Sequence, residues 1–95
     1  MALQMNYYYS LIDTTIYNAY WRINPKNGLV GGKDEMNYVI EVFKNPDASH
    51  VENAQAIDRF TYMFKPDISA DADNFIAQAY NHAKTLPKFS GSIDV

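Results

Sequence analysis

SADADNFIAQAYNHAKTL, from Ser69 to Leu86, is the stretch with strong helical periodicity. Apolar side chains recur at Ala72, Phe75, Ile76, Ala79, Tyr80, Ala83 and Leu86. Steps of three and four place them on one stripe of an α-helix. Positions such as Asp73, Asn74, Gln78, Asn81, His82 and Lys84 fall between them and suit water. Ser69 or Asp71 is the expected N-cap, with Asp71 and Asp73 in the first turn, where the dipole favours acids. His82 and Lys84 stand near the C-terminal end, where cations are favoured, and Pro87 stops the helix. Phe75 and Tyr80 are the expected anchors of its apolar face.

Three predicted strands precede this helix and supply the surface it needs. Thr14 to Asn24 alternates, with Tyr17, Ala19, Trp21 and Ile23 on one face and Ile16, Asn18, Tyr20, Arg22 and Asn24 on the other. Trp21, the single tryptophan, is assigned to the core. Met36 to Lys44 sets Met36, Tyr38, Ile40 and Val42 against Val39 and Phe43, as in a central strand covered on both sides. Gln55 to Lys65 sets Phe60, Tyr62 and Phe64 against Arg59, Thr61, Met63 and Lys65, and Pro66 ends it. Asn24-Pro25-Lys26-Asn27-Gly28, Gly31-Gly32 and Asn45-Pro46-Asp47 are the punctuating turns. The loop from Asn45 to Ala54 has room for a short helical turn. In the tail, Lys88 to Val95, Phe89 is an anchor, Gly91 a hinge, and the polar end is expected to fray.

The fold class expected is α+β: an antiparallel β-meander of three to four strands with one C-terminal α-helix packed on the sheet, a single domain over residues 13–95. The alternative is a small β-sandwich with a closing helix, in which residues 1–12 add a strand. Otherwise residues 1–12 form an extended N-terminal arm. Tyr7, Tyr8 and Tyr9 are consecutive, so they cannot all face one side of a strand. Either alternate tyrosines pack on the domain, or the arm docks on a neighbouring subunit. Tyr7, Tyr8, Tyr9 and Phe89 are therefore the interface candidates.

Composition narrows the function classes. Ninety-five residues make one domain, and 47% hydrophobic with 20% charged residues describes a folded chain. Aromatics reach 15%, eight of them Tyr, more than a thin core hides easily; exposed Tyr marks contact surfaces. The net charge is −3 and the eight Lys and Arg are scattered, so no nucleic-acid partner is expected. There are no cysteines, which excludes disulfides and thiol chemistry. Met1 to Ser10 lacks a basic start and a long apolar core, so no signal peptide is expected. No apolar run approaches the ~20 residues of a membrane span, and no membrane partner is expected.

Candidate chemistry is sparse. Gly28 to Asp34 has a phosphate-loop look, but Asn27 stands where the Walker pattern needs Gly, and Asp34 where it needs Ser or Thr. A glycine-rich hairpin loop explains it. Asp67, Asp71 and Asp73 lack the central Gly and final Glu of a calcium loop, and helix capping accounts for them. His50 and His82, the two imidazoles, have no metal-helix spacing; a pairing of His50 with Asp47 or Glu52 in space is open. The serines lack nucleophile-elbow glycines. No catalytic residue, cofactor or metal is expected, and the chain reads as a non-enzyme.

Three stretches together carry a resemblance. They are Asn18-Ala19-Tyr20-Trp21-Arg22-Ile23, Phe64-Lys65-Pro66-Asp67, and Asn74-Phe75-Ile76-Ala77-Gln78-Ala79-Tyr80 leading to Lys84-Thr85-Leu86-Pro87-Lys88-Phe89-Ser90-Gly91. Over about residues 14–95 the chain resembles a group of small virion-associated proteins of tailed bacteriophages and prophages, from the tail or head–tail region. The resemblance implies a structural or assembly protein working through protein–protein contacts, with partners in the phage particle. It also implies a homo-oligomer, located in the virion and in the host cytoplasm before assembly. It carries no catalytic or ligand residues. The rival class is a stand-alone host-directed protein-binding module or inhibitor, which would stay monomeric.

Overall fold

The computed structural model of the protein describes residues 2–24, 28–32, 34–50 and 55–95. Its strands are β1 (Leu3–Tyr9), β2 (Thr14–Ile23), β3 (Leu29–Gly31), β4 (Met36–Phe43), β5 (Asp58–Phe64) and β6 (Ile93–Asp94). A short helix α1 (Pro46–Ser49) follows β4, and the main helix α2 (Phe75–Thr85) follows β5. All six strands form one antiparallel sheet. β5 lies outside β4; β2 and β3 share the other side of β4; β1 and then β6 follow. The architecture is α+β. Among the described residues it is one sheet, not a sandwich, and has six strands where three to four were expected.

The largest correction is at the N-terminus. Residues 3–9 are no free arm but a strand paired along β2, from Leu3 opposite Trp21 to Tyr9 opposite Thr14. The physical reason lies in the sequence: Leu3, Met5, Tyr7 and Tyr9 alternate with Gln4, Asn6 and Tyr8, the pattern of a half-buried strand. Leu3 is fully buried in the core. The C-terminus is corrected too. Ala2 and Val95 exchange backbone hydrogen bonds at 3.2 and 3.0 Å, and Ile93–Asp94 pair with β1. The helix is thus not the end of the fold.

A β-bulge reshapes β2. The register with β1 shifts between Met5 and Tyr7, and Asn18 takes a left-handed φ of 54°. The extra residue breaks the simple alternation expected for this strand. Ala19, Trp21 and Ile23 stay on the core face as expected, but Tyr17 is thrown outward and Ile16 packs against the core. At the β3–β4 hairpin, Gly31 has a φ of 143°, and a Cβ there would strike the Glu35 carbonyl. The glycine-rich stretch, expected as a loop between two strands, contributes a strand of its own, Leu29–Gly31, which forms a hairpin with β4. The turn expected at Asn24–Gly28 falls largely on residues outside those described, as do Lys33 and Val51 to Ala54.

Helix α2 begins later than its periodicity suggests. Asn74 is the N-cap, its side chain accepting from the Ala77 N–H at 2.8 Å. Ser69, Asp71 and Asp73 therefore lie in the loop before the helix, and no acid occupies the first turn. An alanine-rich stripe with acids between is a weak start signal beside a side chain that reaches an orphan N–H. Phe75, the first helical residue, is 39% exposed and does not anchor the helix. Ala79, Tyr80 and Ala83 do, and all are buried. Gln78, expected to face water, pins the loop: its amide donates to the Asp67 and Asp73 carbonyls at 2.9 and 2.7 Å and accepts from the Asp67 N–H at 2.7 Å.

Tyr80 has a second task. The Ile23 N–H lies beyond the start of β1, and no strand among the described residues receives it. The Tyr80 hydroxyl accepts it at 2.7 Å. Tyr80→Phe keeps the ring and strands that buried donor, so stability should fall by about 1–3 kcal/mol in urea titration.

Candidate interaction surface

The four sequence candidates separate. Phe89 is buried at 1% exposure, its ring edge-on to Trp21 at 5.1 Å and to Tyr62 at 6.1 Å. It is a core anchor, and its place among the interface candidates is corrected. A 3-10 turn at Pro87–Phe89 swings it back onto the sheet, because Pro87 ends the helix and presets the turn. Tyr7 and Tyr9 share the core-side face of β1 and stack at 6.1 Å. Tyr8 faces the other way and is 55% exposed. Alternate packing of the triplet is what the strand period requires.

Tyr7 ties the β1–β2 hairpin to the opposite edge of the sheet. Its hydroxyl donates to Asp58 Oδ2 at 2.6 Å, and its ring meets Trp21 edge-on at 5.4 Å and Phe60 at 6.2 Å. Lys88 closes the group with Nζ 4.0 Å from the Phe60 ring centroid. Burial, then the bond to the Asp58 carboxylate, pushes the Tyr7 phenol up to about 12. The same bond, with the Arg59 N–H, holds Asp58 below the usual carboxylate range. Neither group exchanges a proton near neutrality, so the pair fastens the hairpin and moves no protons.

That pair makes an alkaline prediction. The folded phenol holds its proton above the ordinary value near 10, so the native state keeps protons that the unfolded chain loses. The contribution is complete below pH 10 and is lost as pH rises from there through about 12. Tyr38, Tyr62 and Tyr80 are raised by burial too, so wild-type stability should fall over the same range. Urea midpoints of Tyr7→Phe should fall less steeply between pH 10 and 12.

The hairpin tip is apolar and open. Leu11 and Ile12, in the 3-10 turn Ser10–Ile12, are 80% and 63% exposed. Tyr17 is 72% exposed because the bulge turns it outward. Thr15 lies opposite Tyr8, so Tyr17, two residues on, is the diagonal neighbour of Tyr8 on the outer face. Tyr8 is held there by its hydroxyl, which donates to Asp13. Sequence reasoning missed Leu11, Ile12 and Tyr17. The first two stand next to the tyrosine triplet in a segment read as an arm, and the third was paired with Trp21 by an alternation the bulge interrupts.

Two open grooves flank this framework. One, about 680 Å³, is bounded by Gln4, Thr15, Tyr17, Lys44, Pro46 and Ile57. It exists because β2 pairs with β4 only over Tyr20–Ile23, and the hairpin half of β2 parts from β4. The other, about 560 Å³, lies beside Gly32 and the loop from Asp67 to Phe75. Asp67 there accepts from the Ser69 N–H at 3.0 Å and is a turn residue, as Asn74 is the cap. His82, expected on a water-facing side, stacks on Phe64 at 5.7 Å and bonds the Tyr38 hydroxyl through Nδ1 at 2.8 Å. His50 lies 6.3 Å from the Tyr20 ring, and Glu52 is outside the described residues. Among the described residues no three His, Asp or Glu side chains are grouped to hold a metal ion, and no helix is long and apolar enough to cross a membrane.

No family model matches the chain, and neither the curated proteins nor the solved structures give a significant match.

Proposed function

We propose that this chain is a small structural or assembly protein that works by protein–protein contact. Its setting is the tail or head–tail region of a tailed bacteriophage particle. The observation that carries the contact reading is the apolar tip of the β1–β2 hairpin, where Tyr8, Leu11, Ile12 and Tyr17 are all more than half exposed. Large apolar side chains gathered on one projecting element are the usual mark of a docking surface. Tyr and Leu there bury area on a partner at modest entropic cost, since the hairpin is already ordered by β2. The phage setting rests on the resemblance of residues 14–95 to small virion-associated proteins. The location follows from the same reading: the virion, and the host cytoplasm before assembly.

The test is mass spectrometry of purified particles, with and without Leu11→Asp and Ile12→Asp. The chain is expected at stoichiometric copy number, and the double substitution should strip it from particles. Because both side chains are exposed, each change should leave stability within about 0.5 kcal/mol. Absence of the wild-type chain from particles overturns the assignment. A wild-type chain captured by one host protein and never found in particles would support the host-directed binding module in its place.

A further inference from the structure

We propose that β5 is a self-complementary edge, and that a second copy of this chain pairs with it antiparallel about Thr61. The inference deepens the reading of the chain as a contact protein and names one partner and one interface.

The open edge follows from hydrogen-bond parity. Gly32 N–H donates to Glu35 O at 2.9 Å and Val39 N–H to Gly28 O at 2.8 Å, so odd-numbered residues of β4 face β3. Backbone groups alternate sides along a strand, so even residues of β4 face β5. The register then pairs Ile40 with Phe60 and Tyr38 with Tyr62 by hydrogen bonds, and directs the N–H and C=O of Arg59, Thr61 and Met63 away from the sheet. An independent contact agrees: the Arg59 N–H donates to its neighbour Asp58 Oδ1 at 2.8 Å and not to β4. Among the described residues no strand covers this side of β5.

The strand is complementary to a second copy of itself. A two-fold axis through Thr61 sets Thr61 against Thr61 of the second copy, and Arg59 against Met63, each as a hydrogen-bonded pair of outward residues. Between them Phe60 falls opposite Tyr62, twice, on the core-side face. Thr–Thr and aromatic–aromatic neighbours are favourable cross-strand pairs. Met63, 53% exposed in one copy, gains the aliphatic stem of Arg59 as cover. Sliding the register by two residues toward Lys65 would oppose Arg59 to Lys65, two cations. The arrangement is isologous and closes as a dimer, with no open edge left at β5.

Light scattering of the full chain over a concentration series reads this directly. The mass should rise from 10.9 kDa toward twice that value. Thr61→Pro removes an outward N–H and no bond to β4, so it should keep the fold and hold the mass at one chain. Met63→Lys sets an ammonium against each Arg59 and should do the same; if the proline variant unfolds, this one carries the test. In hydrogen exchange, the Thr61 and Met63 amides should slow as concentration rises, while those of Phe60 and Tyr62 should not change. A chain monomeric from micromolar to millimolar concentration, or a dimer untouched by Met63→Lys, overturns the proposal. A monomer found in particles would defeat this interface and leave the assembly reading standing; a β5 dimer absent from particles would do the reverse.

Discussion

Trp21→Ala is expected to lower stability by about 3–5 kcal/mol. The indole is fully buried at the junction of three elements. Tyr7 from β1 and Phe89 from the tail meet it edge-on, and Phe60 from β5 stacks on it at 5.9 Å. Its Nε1–H donates to the Met5 carbonyl at 3.0 Å, a bond between neighbouring strands beside the bulge. Alanine would leave a cavity that three rings on three separate elements cannot jointly collapse into. A domain this size has about 5–15 kcal/mol in total, so the loss is a large share. In urea the midpoint should drop by more than about 1 M, given a slope of about 1–3 kcal/mol/M. Trp21→Phe should recover most of it and retain only the cost of the lost N–H bond. Tyr17→Ala, on the same strand but outward, should stay within about 0.5 kcal/mol. Equal midpoints for Trp21→Ala and Tyr17→Ala would contradict the placement of both.

Deleting residues 2–9 is expected to abolish cooperative folding. Truncating Leu3 alone should cost about 2–5 kcal/mol, as it is fully buried. The deletion also removes Met5 and Tyr7 from the core, leaves β2 without a strand partner from Thr14 to Ala19, and takes the partner from β6. Asp58 would lose its phenol donor. Circular dichroism and urea titration should show no two-state transition. Had these residues been a docking arm, the deletion would leave a folded domain of lower oligomeric mass.

Much of the fold was legible because strong local signals agreed with the tertiary result. β2, β4 and β5 stand within a few residues of their expected spans, and Trp21 and Tyr80 are where their patterns put them. The failures share a cause: a weak local signal decided by a distant partner. β1 shows clean alternation, but the three consecutive tyrosines drew attention to themselves. Only pairing with β2 separates a strand from an arm. β6 is two residues long and carries no pattern that could reveal it. The bulge at Asn18 is an asparagine accepting positive φ, and nothing in the flanking residues announces it. Asn74 outcompetes Ser69 and Asp71 as the cap because Gln78 folds the preceding loop back onto the helix, a contact between distant side-chain and backbone atoms. The contact surface was half visible: Tyr8 was named, while Leu11, Ile12 and Tyr17 needed the hairpin.

Residue-resolved hydrogen exchange in the N-terminal nine residues tests the central claim most directly, since the contact surface exists only if that segment is a strand. The mutual bonds of Ala2 and Val95 place even residues of β1 toward β6 and odd residues toward β2. The amides of Leu3, Met5 and Tyr7 should therefore be protected as strongly as those of β4. The amides of Tyr8 and Leu11 should exchange quickly in the free protein. Uniformly fast exchange from Leu3 to Tyr9 would show a free arm and contradict the fold and the docking surface together.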